Sequence, residues 1–285
     1  MGHGNRISIE RPGTLLPLII IIQCLIFGRA AQADEFSYRQ YADVLGRHVD
    51  EEGNVNYKGL KADRAGLDAF NQSLGTRKKA DFDELGDPAK IAFLINAYNA
   101  LTLEAIIDHY PITPSEKGRE YPANSIRQIE GAWDDLKFTL LGEEVTLNRI
   151  EHEWLRPRFD EPRIHMALVC AAMSCPPLRN EPYSADRLEA QLDDQTRKFL
   201  DHPKKFKLDM KEKKVYLSQL FSWFGKDWVK RHGTDDRFVG RDETMRAVLN
   251  FIQGYLENQE SAFLLSGEYR IEYLHYDWTL NEQKE

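Results

Sequence analysis

Apolar residues recur at helical spacing from Tyr38 to Val49 and again from Asp63 to Leu74, with Gly53 and Asn54 supplying a turn between them. A third helix is announced by Asp87-Pro88, a capping residue followed by proline at the first helical position. It should run to about Asp108, where His109-Tyr110-Pro111 stops it. Between Ile91 and Leu103 it carries no charge and is apolar all round, which predicts a helix in the middle of the protein and not on its surface. Asn96, Asn99 and Thr102 interrupt the run. Asn96 and Asn99, three apart, share one face. An unpaired buried amide costs about 1–3 kcal/mol, so both must find partners: either they bond neighbouring loops and fix the core, or they line a binding site.

Further along, strand and helix patterns alternate. Leu136–Leu140 and Glu143–Leu147 flank Leu141-Gly142 as a hairpin, and a short helix is expected from Asn148 to Leu155. Ile164 to Cys170, after Pro162, reads as a buried strand. Ser184 is placed to cap a helix reaching Leu200, with Leu188, Leu192 and Phe199 inward. Lys204, Lys205, Lys207, Lys211, Lys213 and Lys214 alternate with Phe206, Leu208, Val215 and Leu217, the pattern of a hairpin with one solvated face. Ser218 should cap an aromatic helix holding Phe221, Trp223, Phe224 and Trp228; a last helix is expected from Thr244 to Leu256 and a last strand from Tyr269 to Tyr276. With no repeat and no linker, this predicts one α+β domain over 34–285, with a largely antiparallel sheet and a buried central helix.

The segment before that domain changes the compartment. Arg6 and Arg11 precede an apolar run from Leu15 to Phe27, followed by small residues ending in Ala31-Gln32-Ala33. That order is a secretory signal peptide over residues 1–33. The run is shorter than the roughly 20 residues a spanning helix needs, so cleavage would leave no membrane span, and the protein is expected to be soluble and periplasmic or secreted. Cys24 follows Gln23 inside the apolar run, which argues against a lipid-bearing cysteine. The whole chain carries 38 basic and 46 acidic side chains, a net charge of -8; losing three arginines and one glutamate with the signal makes it -10. So acidic a surface repels phosphate backbones, and nucleic acid is not an expected partner.

Cleavage leaves two cysteines, Cys170 and Cys175, both in IHMALVCAAMSCPPL. In an oxidising compartment they can close a short structural disulfide, of about 2 kcal/mol on the chain-entropy model. Alternatively Cys175 is a nucleophile activated by His165, which requires a thiolate and a base about 2.6–3.2 Å apart. On a strand, Cys170 would face away from His165, while Cys175, beyond a turn, could return to it. The third residue that orients the imidazole could be Asn96, Asn99, Asp134, Asp135 or Asp277. Dithiol exchange is weaker, because Cys-x4-Cys lacks the close spacing of redox pairs. No spacing matches a zinc site, a phosphate loop or a dinucleotide fingerprint, so no metal or cofactor is expected. Glu151 and His152 fall on a charged helix and read as a solvated face, with Arg156 paired to His152 or Glu153. Trp133 with Asp134 and Asp135, and Tyr276 with Asp277 and Trp278, could each rim a saccharide site.

The stretches AFLINAYNALTL (Ala92–Leu103), SIRQI (Ser125–Ile129), RIEHEWLR (Arg149–Arg156), PRIHMALVCAAMSCPPLRNEPYSADRLEAQLDD (Pro162–Asp194), LSQLFSWF (Leu217–Phe224) and YDWTLN (Tyr276–Asn281) resemble the family labelled Domain of Unknown Function 547. The resemblance spans most of the expected domain. It implies an uncatalogued activity, export in bacterial relatives, and a fold similar to the papain and transglutaminase group. Two readings follow. One is a hydrolase or acyl transferase using Cys175 and His165, with a pocket where the Asn96–Asn99 helix meets the His165 segment. The other is a non-catalytic envelope protein that binds a small molecule or envelope component and is stapled by Cys170–Cys175.

Overall fold

The uncharged run forms the helix Asp87–His109, with 16 of its 23 residues buried. By length and hydropathy it would suit a bilayer, but other parts of the protein cover it: the helices Tyr57–Ala62 and Ala65–Thr76 and the turn of helix at Ile150–Leu155 pack around it. Pro88 sits in its first turn, where no intrahelical donor is lost. The computed structural model describes residues 1–4 and 36–284. The apolar run and the Ala31-Gln32-Ala33 site behind the export reading lie outside the described residues.

Residues 36–284 fall within one compact unit holding two apolar clusters. One surrounds the central helix; the other joins Met166, Ala172 and Cys175 to Phe199, Phe221, Trp228, Phe251 and Tyr276. Trp278 packs against both.

The described residues are about 47% helix and 9% strand, so helices carry the core and the sheets are local. The expected α+β single domain is present. β1 (Phe138–Leu140) and β2 (Glu143–Val145) form the expected hairpin. Its turn residues Leu141 and Gly142 both have positive φ, 55° and 77°, as a tight hairpin requires. β3 (Phe206–Asp209) pairs antiparallel with β4 (Lys214–Leu217), and β5 (Arg270–Tyr273) joins β4 in parallel. The antiparallel pairing is therefore divided between two small sheets, one of which ends in a parallel strand.

Several local expectations change. Ile164 to Cys170 is not a strand: Pro162–Met166 is a 3-10 turn, and the residues from Ala167 to Cys170 belong to no helix or strand. Pro162 opens the turn, and the Glu161 carboxylate accepts the Arg163 amide at 3.1 Å. Ser184 does not cap the following helix, which spans Leu188–Leu200; its hydroxyl donates to Asp186 instead. The final helical region is two helices, Glu243–Gln253 and Asn258–Ser266, the second closed by Gly267 at φ 69°. Ser218 does cap the aromatic helix Gln219–Phe224. The lysine hairpin is solvated except at Lys205, which is buried.

Segment 276–283 threads through the rest of the protein. Asn281 accepts the Tyr57 hydroxyl at 2.7 Å and donates to the Gly53 carbonyl, and its backbone bonds Val55 and Ala171. Thr279 and Asp277 give their carbonyls to the amides of Met173 and Ser174, inside the loop between the cysteines.

Candidate active site

A cavity of about 240 Å³ opens where the two apolar clusters meet. The central helix contributes Tyr98, whose position follows from its place on the buried face. Asn96 and Asn99 do not line it. Each instead pairs an extended segment as a neighbouring strand would. Asn96 donates to the Tyr183 carbonyl at 2.8 Å and accepts its amide at 2.9 Å. Asn99 donates to the Ala167 carbonyl at 3.0 Å and accepts the Val169 amide at 2.9 Å. This explains the missing strand. The backbone groups that a ladder would have used are satisfied by a helix side chain, and the two amides clamp Tyr183 and the Ala167–Val169 segment to the central helix.

The next wall comes from RIEHEWLR. Its helix begins at Leu147–Arg149, capped by the Thr146 hydroxyl, and continues at Ile150–Leu155 with π winding; the Arg156 amide reaches back to the Glu151 carbonyl. Such π turns often mark functional sites. Glu151 is thereby buried at 8% exposure, contrary to the solvated face expected from its charged neighbours. Burial, opposed by Arg156 and by a hydrogen bond with Tyr98, pushes its pKa up to about 7. His152 does pair with Arg156, as expected, at 2.7 Å. A guanidinium only donates, so Nδ1 of His152 is an acceptor and the ring is neutral; burial and Arg156 both lower its pKa.

His165 also lines the cavity, its ring stacked on Phe224 and Trp228 with centroids 4.4 and 5.3 Å away. Its Nε2 lies 2.7 Å from Asp227, a residue the sequence did not single out. Arg156 grips the same carboxylate, at 2.7 Å from Nε and 3.1 Å from Nη2. Burial lowers the His165 pKa more than Asp227 raises it, so the imidazole is neutral at neutral pH. Burial alone would raise the Asp227 pKa, but the hydrogen bonds from His165 and Arg156 hold it well below the usual carboxylate range. A neutral ring that donates from Nε2 keeps its lone pair on Nδ1. Of the five residues considered as orienting groups, Asp134 lines the cavity but is engaged by Asn148, and Asp277 accepts the Thr279 amide. Asn96, Asn99, Asp135 and Asp277 do not line it.

Cys170 and Cys175 line the cavity as a disulfide, with Cα atoms 6.0 Å apart. Between them Ala171 takes a positive φ of 56°. The Cys170 amide points at the Cys175 sulfur at 2.8 Å, and the Cys170 sulfur lies 3.3 Å from the Tyr276 hydroxyl. Lys205 reaches under this loop to the carbonyls of Met173 and Cys175, and burial pushes its pKa down to about 8. The two candidate saccharide rims turn out to be one wall. Trp133, Asp134, Tyr276 and Trp278 all line the cavity, the Trp133 and Trp278 rings meet edge to face at 6.2 Å, and Trp223 of the aromatic helix stacks on Trp278 at 6.1 Å.

Residues 82–200 match the family described as protein of unknown function, DUF547, the family that the sequence resembles. The match takes in the central helix, Glu151, His165 and both cysteines, and ends before Asp227 and the aromatic residues after it. No curated protein and no solved structure matches the chain.

Proposed function

With residues 82–200 assigned to a family of undefined activity, we propose that the protein is an exported hydrolase or acyl transferase that uses Cys175 as nucleophile, His165 as base and Asp227 to orient the imidazole. The observation that carries this reading is that a neutral, Asp-held histidine and both cysteines line the same cavity. The disulfide is then the oxidised resting form. A dithiol reductant opens it to two thiols, itself becoming a disulfide. The Cys175 proton passes to Nδ1 of His165, and the thiolate attacks an acyl carbon. The leaving group departs with the proton from the imidazolium, leaving a thioester that water or an amine resolves with regeneration of the thiol. Ionised Asp227 stabilises the imidazolium formed in each half-reaction.

A second reading is favoured by the disulfide itself together with the aromatic walls: a non-catalytic binding protein for a small molecule or envelope component, stapled by Cys170–Cys175. One experiment separates them. Cys170→Ser frees Cys175 without reductant. In that variant iodoacetamide is expected to label Cys175 faster than free cysteine, and p-nitrophenyl acetate to give a burst of one acetyl group per chain. Adding His165→Asn should slow both by 100-fold or more, the usual size of a lost general base. Slow labelling indifferent to His165 removes the catalytic reading and leaves the stapled binder.

Export rests on the Arg6–Ala33 pattern. Protein recovered from outside the cytoplasm should read Asp34-Glu35-Phe36 at its N-terminus; a product starting at Met1 in the membrane fraction would contradict it.

A further inference from the structure

The turn Ile126–Gln128 is fixed more firmly than a surface turn needs. Ser125 caps it, and the buried Gln128 side chain donates to the carbonyls of Gly118, Tyr121 and Pro122 while accepting the Ser115 amide. What this rigid turn presents is Arg127. Its guanidinium lies over three rings, 4.2 Å from Trp278, 4.9 Å from Trp133 and 5.3 Å from Tyr121, and it lines the cavity. Among the described residues the guanidinium has no hydrogen-bond acceptor and no ion pair; only the Arg127 backbone amide is bonded.

Three acidic groups of the surrounding segments have partners of their own. Glu130 is paired with Lys117 and Asp134 is engaged by Asn148. Glu151, deeper in the cavity, is buried and bonded to Tyr98. The Arg127 side chain is exposed, and a guanidinium packed among aromatic rings leaves its planar fork of donors open to a ligand, with part of the ordering cost of a two-point contact met by that packing. A carboxylate accepts that fork in bidentate geometry.

We infer that Arg127 anchors a carboxylate of the ligand, so that the cavity takes a small carboxylic acid with an apolar or aromatic body lying against Trp133, Trp223 and Trp278. This rests on reading the cavity as the substrate site and names the class of substrate: an acyl compound whose free carboxylate binds at Arg127 while its reactive carbonyl is turned toward the cysteine wall.

The test uses the full domain in its oxidised form, where no thiol is free, so its outcome does not depend on the thiol chemistry. The probes are 3-phenylpropionate and its neutral amide, followed by the fluorescence of the tryptophans lining the cavity. The carboxylate is expected to bind at least tenfold more tightly than the amide. Arg127→Met should remove most of that preference and Arg127→Lys should retain part of it, because lysine keeps the charge and loses the fork. Equal binding of the two probes, no binding of the carboxylate at millimolar concentration, or a preference that survives in folded Arg127→Met would overturn the inference. If the preference stands while Cys175 proves unreactive, the carboxylate site belongs to a binding protein and the thiol reading alone fails.

Discussion

Replacement of Asp227 by alanine is expected to lower the stability of the domain by about 3 kcal/mol at neutral pH, the low end for breaking a buried ion pair. The carboxylate receives three donors: Nε2 of His165 and two nitrogens of Arg156. The His165 side chain is 2% exposed, whereas Arg156 and Asp227 are each 25% exposed. Without Asp227 a half-buried guanidinium loses its counter-charge, and water can compensate only part of the loss. The pH dependence identifies the cause. Asp227 is held well below its ordinary range in the folded state, so its contribution is complete above the unfolded value, about 3.9, and is lost as pH falls through the folded value. Urea titrations of the two proteins should therefore differ most at neutral pH and converge in strong acid. A gap that does not change with pH would mean that the loss comes from packing alone.

At pH 8, Glu151→Gln should be more stable than the parent protein by about 4 kcal/mol, since each pKa unit is worth about 1.4 kcal/mol. Glu151 is buried, and its pKa is raised to about 7 in the folded state, against about 4.3 in an unfolded chain. The folded protein thus holds a proton that the unfolded chain gives up, and stability falls as pH rises from about 4.3 through 7. Glutamine removes the charge but keeps an oxygen for the Tyr98 hydroxyl. The parent and the variant should agree near pH 4 and separate through pH 7 in denaturant titrations. Parallel curves over that interval would show that Glu151 ionises as an ordinary surface carboxylate.

The central helix could be read from sequence because thirteen consecutive uncharged residues, Ile91 to Leu103, admit few alternatives, and the hairpins because turn residues sit between alternating runs. The segment after Pro162 was misread for a specific reason. A short apolar run shows that it is buried, but what satisfies its backbone is a side chain 68 positions earlier, Asn99, and periodicity carries no information about that. Glu151 looked solvated because its sequence neighbours are charged; π winding turned it inward. Asp227 lies 62 positions from His165, within a run of lysines and aromatics that suggested only a helix. Trp133-Asp134 and Tyr276-Trp278 were each noticed, but their meeting at one cavity was not legible. Lys205 was hidden among five other lysines whose solvated positions matched the expected pattern. The cysteines stand out because only three occur in the chain, and His165 stands out only because it shares a segment with two of them.

The threading of segment 276–283 has a bearing on biosynthesis. Tyr276 and Trp278 close the aromatic wall, and Asn281 ties the segment around Gly53 and Val55 to Ala171 beside the cysteines. A chain made or translocated from its first residue onward presents the hydrophobic central helix long before those contacts can exist. Until residue 283 has cleared the ribosome, the cavity lacks one side and the cysteine loop lacks its cover. The nascent domain therefore spends most of its synthesis with the future site open, a period in which a chaperone that holds apolar segments has a surface to bind, and in which thiol oxidation can precede completion of the site around it.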